Sequence, residues 1–254
     1  MKTSITNSKI IEKIGAVVIA LFLWHILAIA LGQEILLASP IRVISQLGIL
    51  CLEKQFWQSV VFTMSRIIIG FMTAFICGTL LGVAAARIRI IEVLLWPYVA
   101  VIKAAPVASF IILCLIWTTA ANLSVIISFL IVLPVVYTNI LQGMKATDRK
   151  MLEMARVYEL STCKCIKYIY LPALKPYFLA ACSIAAGMAW KSGTAAEVIG
   201  IPGGSIGEKL YKAKVYLSSA DLLAWTVVII ILSVICEKLL ILLVRWLYEV
   251  LEKR

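Results

Sequence analysis

The residues able to do chemistry are few and scattered. The chain carries one histidine, His25, inside an apolar run. No HExxH, GxSxG or paired-carboxylate spacing accompanies it, so the constellation that an intramembrane protease or lipid transferase needs is missing. Seven cysteines are present: Cys51, Cys77, Cys114, Cys163, Cys165, Cys182 and Cys236. Most sit in apolar stretches, and Cys163 and Cys165 form CxC, not the CxxC of a redox or zinc site. They read as small structural hydrophobes. The stretch Gly203-Gly204-Ser205-Ile206-Gly207-Glu208-Lys209 is glycine-rich, yet it lacks the GxxxxGK[ST] spacing that wraps phosphates. It is read as a flexible loop, and the chain itself is expected to bind no ATP.

Four charges remain in or beside apolar runs: Arg66, Lys103, Lys191 and Glu197. A charge at the centre of a bilayer costs about 2.5–3.5 kcal/mol on insertion scales, so each must face an interior, a water path or the headgroups. Arg66 and Lys191, near the ends of their runs, are read as snorkelling to headgroups. For Lys103, just before Pro106, and for Glu197, bordering a solute path and snorkelling both stay open. His25 is read as a satisfied interior residue.

The elements that must position these charges are membrane spans. Of 254 residues, 63% are hydrophobic and 15% charged, with a mean hydropathy of +1.04. A soluble domain carries roughly 45–50% apolar and about 25% charged residues, so the surplus apolar surface must meet lipid. The net charge of +11 flanks the apolar runs, which fits an anionic leaflet better than nucleic acid. A span needs about 20 apolar residues. The sequence predicts six, over 14–31, 60–86, 93–117 (kinked at Pro106), 123–143 (bent at Pro134), 176–198 and 222–244. Residues 104–144 hold no charge at all, and the turn they require falls at 118–122, where hydroxyls and an amide can satisfy backbone groups. Residues 36–54, with Pro40, Arg42 and Glu53, read as an interfacial or extracellular segment. The first run follows Lys2, Lys9 and Lys13 and is too long for a signal-peptide core, with no cleavage-site pattern after it. Six spans put both termini on one side. Arg87, Arg89, the 145–175 loop and the Lys253-Arg254 tail place that side in the cytoplasm. Lys209, Lys212 and Lys214 then fall outside, against the trend.

Within 145–175 the composition turns basic (Lys145, Arg149, Lys150, Arg156, Lys164, Lys167, Lys175) with apolar residues at helical spacing. The pattern predicts two short helices with a bend between them. Met151, Leu152, Met154, Ala155 and Tyr158 form an apolar face suited to a groove on a soluble partner. Pro172 is expected to end the second helix and Pro176 to start the fifth span. The series Glu153-Met154-Ala155, then Glu159, then Ile169-Tyr170-Leu171-Pro172 resembles the EAA signature of permease subunits of ATP-binding-cassette (ABC) importers. It departs at Met154, where the family has Ala, and at Glu159, where it has Gly. A left-handed bend at a non-glycine residue costs roughly 1–2 kcal/mol, so either the bend uses ordinary dihedrals or the partner contacts differ.

A second resemblance runs along most of the chain. Leu37-Ala38-Ser39-Pro40, Ser65-Arg66 with Gly70-Phe71, Gly78 with Gly82, Trp96-Pro97, Lys103-Ala104-Ala105-Pro106-Val107-Ala108 and Trp190 to Glu197 running into Gly200 and Gly207 are similar to the nitrate/sulfonate/taurine-type permeases. The resemblance implies an all-α, type I importer permease fold with six transmembrane helices and a cytoplasmic coupling-helix pair, as one transmembrane domain over 1–254. It implies ATPase coupling through Glu153, Met154, Ala155, Glu159, Ile169, Leu171 and Pro172. Lys103, Pro106 and Glu197 are candidates for the translocation path. The implied partners are two ABC ATPase subunits that hold ATP and magnesium, a second copy of this chain, and an extracellular substrate-binding lipoprotein. The implied place is a bacterial inner membrane, with no metal, no cofactor and no catalysis in this chain. Subfamily solutes include nitrate, sulfonates, taurine and other small organic molecules, and the binding protein usually sets selectivity.

Overall fold

A computed structural model describes the backbone of residues 2–253 and the side chains of residue 12 and residues 14–251. Side chains of the flanking Lys2, Lys9, Lys13, Lys253 and Arg254 lie outside the described residues. Every apolar run becomes helix: α1 (Lys2–Leu31), α2 (Pro40–Leu52), α3 (Lys54–Arg87), α4 (Arg89–Ala104), α5 (Val107–Trp117) and α6 (Ala120–Lys145). Then follow α7 (Arg149–Val157), α8 (Thr162–Cys165), a π-helical turn (Ile166–Tyr170), α9 (Leu171–Gly200), α10 (Ile206–Val215) and α11 (Ser219–Lys253). Five helices are long and apolar enough to cross a membrane, and a broken pair, α4 with α5, makes up to six.

The core is the triple packing of α3, α6 and α9. Ile67 and Phe71 of α3, Val132 and Val136 of α6, and Ala185, Ala189 and Trp190 of α9 are buried together. Lipid tails are as apolar as leucine, so packing in a bilayer depends on close backbone approach between small residues. At Gly70 a Cβ would lie 2.4 Å from the Val125 carbonyl oxygen of α6, which leaves room only for glycine. By contrast α1 leaves most of its described apolar side chains exposed and α11 buries few of its own, as lipid-facing helices do.

Three boundaries differ from the sequence expectation. The third span is not kinked at Pro106 but broken, with α4 and α5 turned 106° apart. Proline disfavours helical dihedrals in the residue before it, and Ala105 is extended, at ψ 142°. Pro172 does not end a helix: it sits in the first turn of α9, and Pro176 lies inside that helix. The missing Pro172 N–H and its ring displace the normal turn, and the backbone widens just upstream into the π turn, where Leu171 N–H donates to the Ile166 carbonyl. Residues 203–207 are not a flexible loop. Ser205 caps α10 by accepting from the Glu208 N–H at 2.9 Å, and Ser205, Ile206 and Gly207 are buried.

The helices create two polar ends. At one, Gln46 donates to Asp221 at 2.7 Å, Ser219 donates to the Glu34 carbonyl and Arg66 reaches Ala121. At the other, Lys145 pairs with Glu92 at 2.6 Å, and the α7–α8 segment packs under the end of α3.

Candidate functional site

The first candidate site is the segment joining α6 to α9. Asp148 opens α7 by accepting from the Lys150 N–H at 2.9 Å, as an N-cap carboxylate does. At the other end Glu159 N–H donates to the Arg156 carbonyl at 3.1 Å and Leu160 N–H to the Ala155 carbonyl at 2.9 Å. These two bonds are the Schellman motif, which requires a left-handed residue after the C-cap. That residue is Glu159, at φ +50°. The left-handed bend is therefore present without the glycine that makes it cheap. Replacing Glu159 with Gly is expected to stabilise the segment by roughly 0.5–1 kcal/mol, the left-handed strain less the entropy a glycine adds to the unfolded chain. Slower hydrogen exchange over α7, with unchanged exchange in α3 and α6, is the measurement.

The cap fixes two faces of α7. Ala155 is buried and Leu152 half-buried, lining with Arg87, Glu159, Leu160 and Tyr170 a cleft of about 280 Å³ under α3. The opposite face presents Met151, Met154, Val157 (80% exposed) and Tyr158 (74% exposed). Beyond the bend Tyr168 is also exposed, whereas Ile169 is buried. Leu171 is half-buried and Pro172 exposed, while Glu153 points to solvent. The motif thus divides. Ala155, Ile169 and Leu171 hold the segment to the helices, and Glu153, Met154 and the residues around the bend are offered outward. Val157 and Tyr168, among the more exposed apolar side chains there, belong to no motif and were identified only by the fold.

The second site is a polar cluster at the other end of the molecule. Glu197 of α9 is wholly buried. Its Oε2 accepts from Thr63 Oγ1 at 2.7 Å and from the Gly207 N–H at 3.3 Å. Thr63 Oγ1 in turn accepts from the Ile206 N–H at 3.0 Å. One carboxyl therefore ties α3, α9 and α10. The approach is so close that a Cβ on Gly207 would lie 2.3 Å from Glu197 Cβ. The hydroxyl of buried Ser124 lies close enough to the carboxyl to interact with it. Glu197 is wholly buried and so does not snorkel to headgroups. Arg66 is also not a snorkelling residue. Its Nε donates to the Ala121 carbonyl at 2.5 Å, its guanidinium lies 3.6 Å from the Phe62 ring centre, and it is close enough to interact with Glu197. Lys191 is exposed. His25 is half-buried and its Nδ1 has no hydrogen-bond partner among the described residues, unlike the satisfied interior residue expected.

Lys103 lies at the end of α4, just before the 106° break, and donates to Thr138 Oγ1 on α6 at 3.3 Å. Thr138 itself donates back to the Pro134 carbonyl at 2.7 Å. Lys103 remains exposed, and Pro106 positions it by ending α4. The three lysines of α10 are not equivalent. Lys212 pairs with Glu208 at 2.7 Å, Lys209 donates to Gln55 at 3.2 Å, and Lys214 is exposed. The Lys212 hydrogen bond holds the Glu208 carboxyl below the usual carboxylate range. Its contribution is present at neutral pH and is lost as acid protonates Glu208, and solvent screening keeps it small.

A chain of broken and whole apolar helices with a capped, outward-facing amphipathic segment before its fifth span has a known counterpart. The family model for the binding-protein-dependent transport system inner membrane component matches residues 78–254. The chain belongs to that family. It is a multi-pass membrane permease subunit of an ABC importer. Among its relatives, SsuC of Bacillus subtilis (strain 168), whose name refers to aliphatic sulfonates transport, is 24% identical over 91% of this chain and 83% of its own length. The nitrate import permease protein NrtB of Synechococcus elongatus is 26% identical over 73% of this chain and 70% of its own. The bicarbonate transport system permease protein CmpB of the same organism is 25% identical over 75% and 69%. The matched region includes the α6–α9 segment, Glu197 and Gly207, whereas Thr63 and Arg66 of the second site precede it.

Proposed function

We propose that residues 1–254 act as one transmembrane domain that pairs with a second copy of itself, each copy carrying one ABC ATPase subunit. A solute arrives from an extracellular binding protein. ATP and magnesium belong to the ATPase, and the permease does no covalent chemistry of its own. Glu153, Met154, Ala155, Glu159, Ile169, Leu171 and Pro172 form the coupling element. The observation that carries this is the exposed apolar face of α7, Met151 to Tyr158, set rigidly by the cap at Glu159. A soluble partner with a groove would bury it. The side bearing that face, with Arg87, Arg89 and the basic 145–175 segment, is the cytoplasmic one in a bacterial inner membrane, which places both termini there.

Lys103 and Pro106 border the translocation path, at the break between α4 and α5. Broken helices in a bilayer expose backbone polar groups, tolerable only where protein or water covers them. The cation at Lys103, together with relatives named for nitrate, sulfonates and bicarbonate, supports a small anion as the solute. Glu197 serves this path indirectly, by fixing the outer ends of α3, α9 and α10.

Purification in mild detergent tests the assembly. Expected are an ATPase subunit in equal amount with the permease, ATP turnover sensitive to vanadate, and, in vesicles with the binding protein, uptake of an anion. Recovery of the permease alone, folded, in several detergents would overturn the coupling assignment.

A further inference from the structure

At the end of the molecule that holds the coupling segment, α3, α4 and α6 enclose a cavity of about 600 Å³. It is lined by Arg87, Arg89, Glu92 and Lys145, with Val93 and Trp96 along one flank. Its charge is unbalanced. Glu92 is taken up by Lys145 at 2.6 Å, and no hydrogen bond or ion pair engages the guanidinium of Arg87 or Arg89 among the described residues. Two guanidiniums in one concavity disfavour each other, and both offer donor forks that match phosphate oxygens. The flank has different chemistry. Trp96 is 71% and Val93 61% exposed, and tryptophan favours the depth of the headgroups with its ring toward the acyl chains.

We propose that this cavity binds a phosphate group, and that its source is an anionic phospholipid of the adjoining leaflet. Arg87 and Arg89 hold the phosphate, Lys145 and Glu92 form the neutral wall, and the acyl chains leave along Val93 and Trp96. Basic pockets between spanning helices on the cytoplasmic side recognise such headgroups. Arg87 also lines the cleft beneath α7, so a lipid phosphate here adjoins the coupling segment. Assignment to the inner leaflet rests on the orientation proposed above, but the phosphate site itself does not.

The test is native mass spectrometry of the permease purified in mild detergent with any bound ATPase, titrated with phosphatidylglycerol, phosphatidylcholine or inorganic phosphate. Adducts are read on the mass of the permease chain, so the result stands whether or not an ATPase accompanies it. Phosphatidylglycerol is expected to bind in preference to phosphatidylcholine. The double substitution Arg87→Gln with Arg89→Gln should weaken it roughly 10- to 30-fold, at about 1 kcal/mol per basic residue. Glu92→Gln, which frees Lys145 for the ligand, should tighten it, and a folding defect cannot produce both signs. Inorganic phosphate that follows the same two variants while the lipid does not would uphold the site with a soluble anion as its ligand. Equal binding of the two lipids with no phosphate binding, or any binding that ignores both substitutions, would overturn it.

Discussion

Changing Val157 and Tyr158 together to aspartate is expected to weaken ATPase association by roughly 100-fold or more while leaving the membrane helices intact. Both side chains are largely exposed, at 80% and 74%, so their loss removes little from the fold of the permease. A buried apolar or aromatic anchor at a protein interface is worth about 2 kcal/mol or more, and a carboxylate forced into an apolar groove adds a desolvation cost. Two anchors therefore account for the expected loss. Association is measured by co-purification and ATP turnover, and integrity by thermal unfolding of the detergent-solubilised chain. An unchanged unfolding midpoint with lost ATPase is the expected pair of results. Wild-type association in this variant would show that the coupling surface lies elsewhere. The Schellman cap ties the end of α7 to the segment that leads into α9 through two backbone hydrogen bonds, and the proposed coupling would pass through that link.

The second large effect is expected at Glu197. Glu197→Ala removes the acceptor for Thr63 Oγ1 and the Gly207 N–H and leaves both donors buried. Each unsatisfied group costs about 1–3 kcal/mol, so a loss of about 3 kcal/mol is expected, seen as a lower unfolding midpoint. Protease cleavage near 201–205 should also quicken as α10 leaves α9. Glu197→Gln keeps an acceptor oxygen and should lose much less. Gly207→Ala reaches the same joint from the other side. Its Cβ would meet Glu197 Cβ and backbone at 2.3–2.4 Å, and overpacking of this kind costs about 1–3 kcal/mol or more. Combining the two alanines should cost less than the sum of the single changes, because either one already separates α10 from α9. Strict additivity would show that the two residues act independently.

Much of this protein is legible along the chain because it depends on local properties. Runs of apolar residues of a given length must span a bilayer, and the uncharged stretch 104–144 had to turn once, within 118–122; the break between α5 and α6 falls at the start of that window. The spacing of Glu153, Glu159 and Ile169 to Pro172 marked the segment ahead of the fifth span, where α7, α8 and the π turn form. Proline positions were legible too, though not always their consequences. Pro106 announced a defect, but whether a proline kinks a helix or breaks it, here by 106°, depends on how neighbouring helices pack against the two halves. Pro172 was expected to end a helix, yet a π turn absorbs it.

What the tertiary structure alone decided is the direction of side chains. Arg66 looked like a charge near a span end, able to reach headgroups, and Glu197 left headgroups and a solute path both open. Neighbouring helices turn them inward, Arg66 to the start of α6 and Glu197 to Thr63 and α10, since only contacts distant in sequence determine which side of a helix is inside. The glycine-rich stretch at 203–207 looked flexible because glycine permits many conformations. In the fold, the same lack of a Cβ lets Gly207 pack against Glu197, and ordering follows from that contact. Glu159 makes the same point in reverse: its type argued against a left-handed bend, but two backbone hydrogen bonds and the seat of α7 beneath α3 impose one.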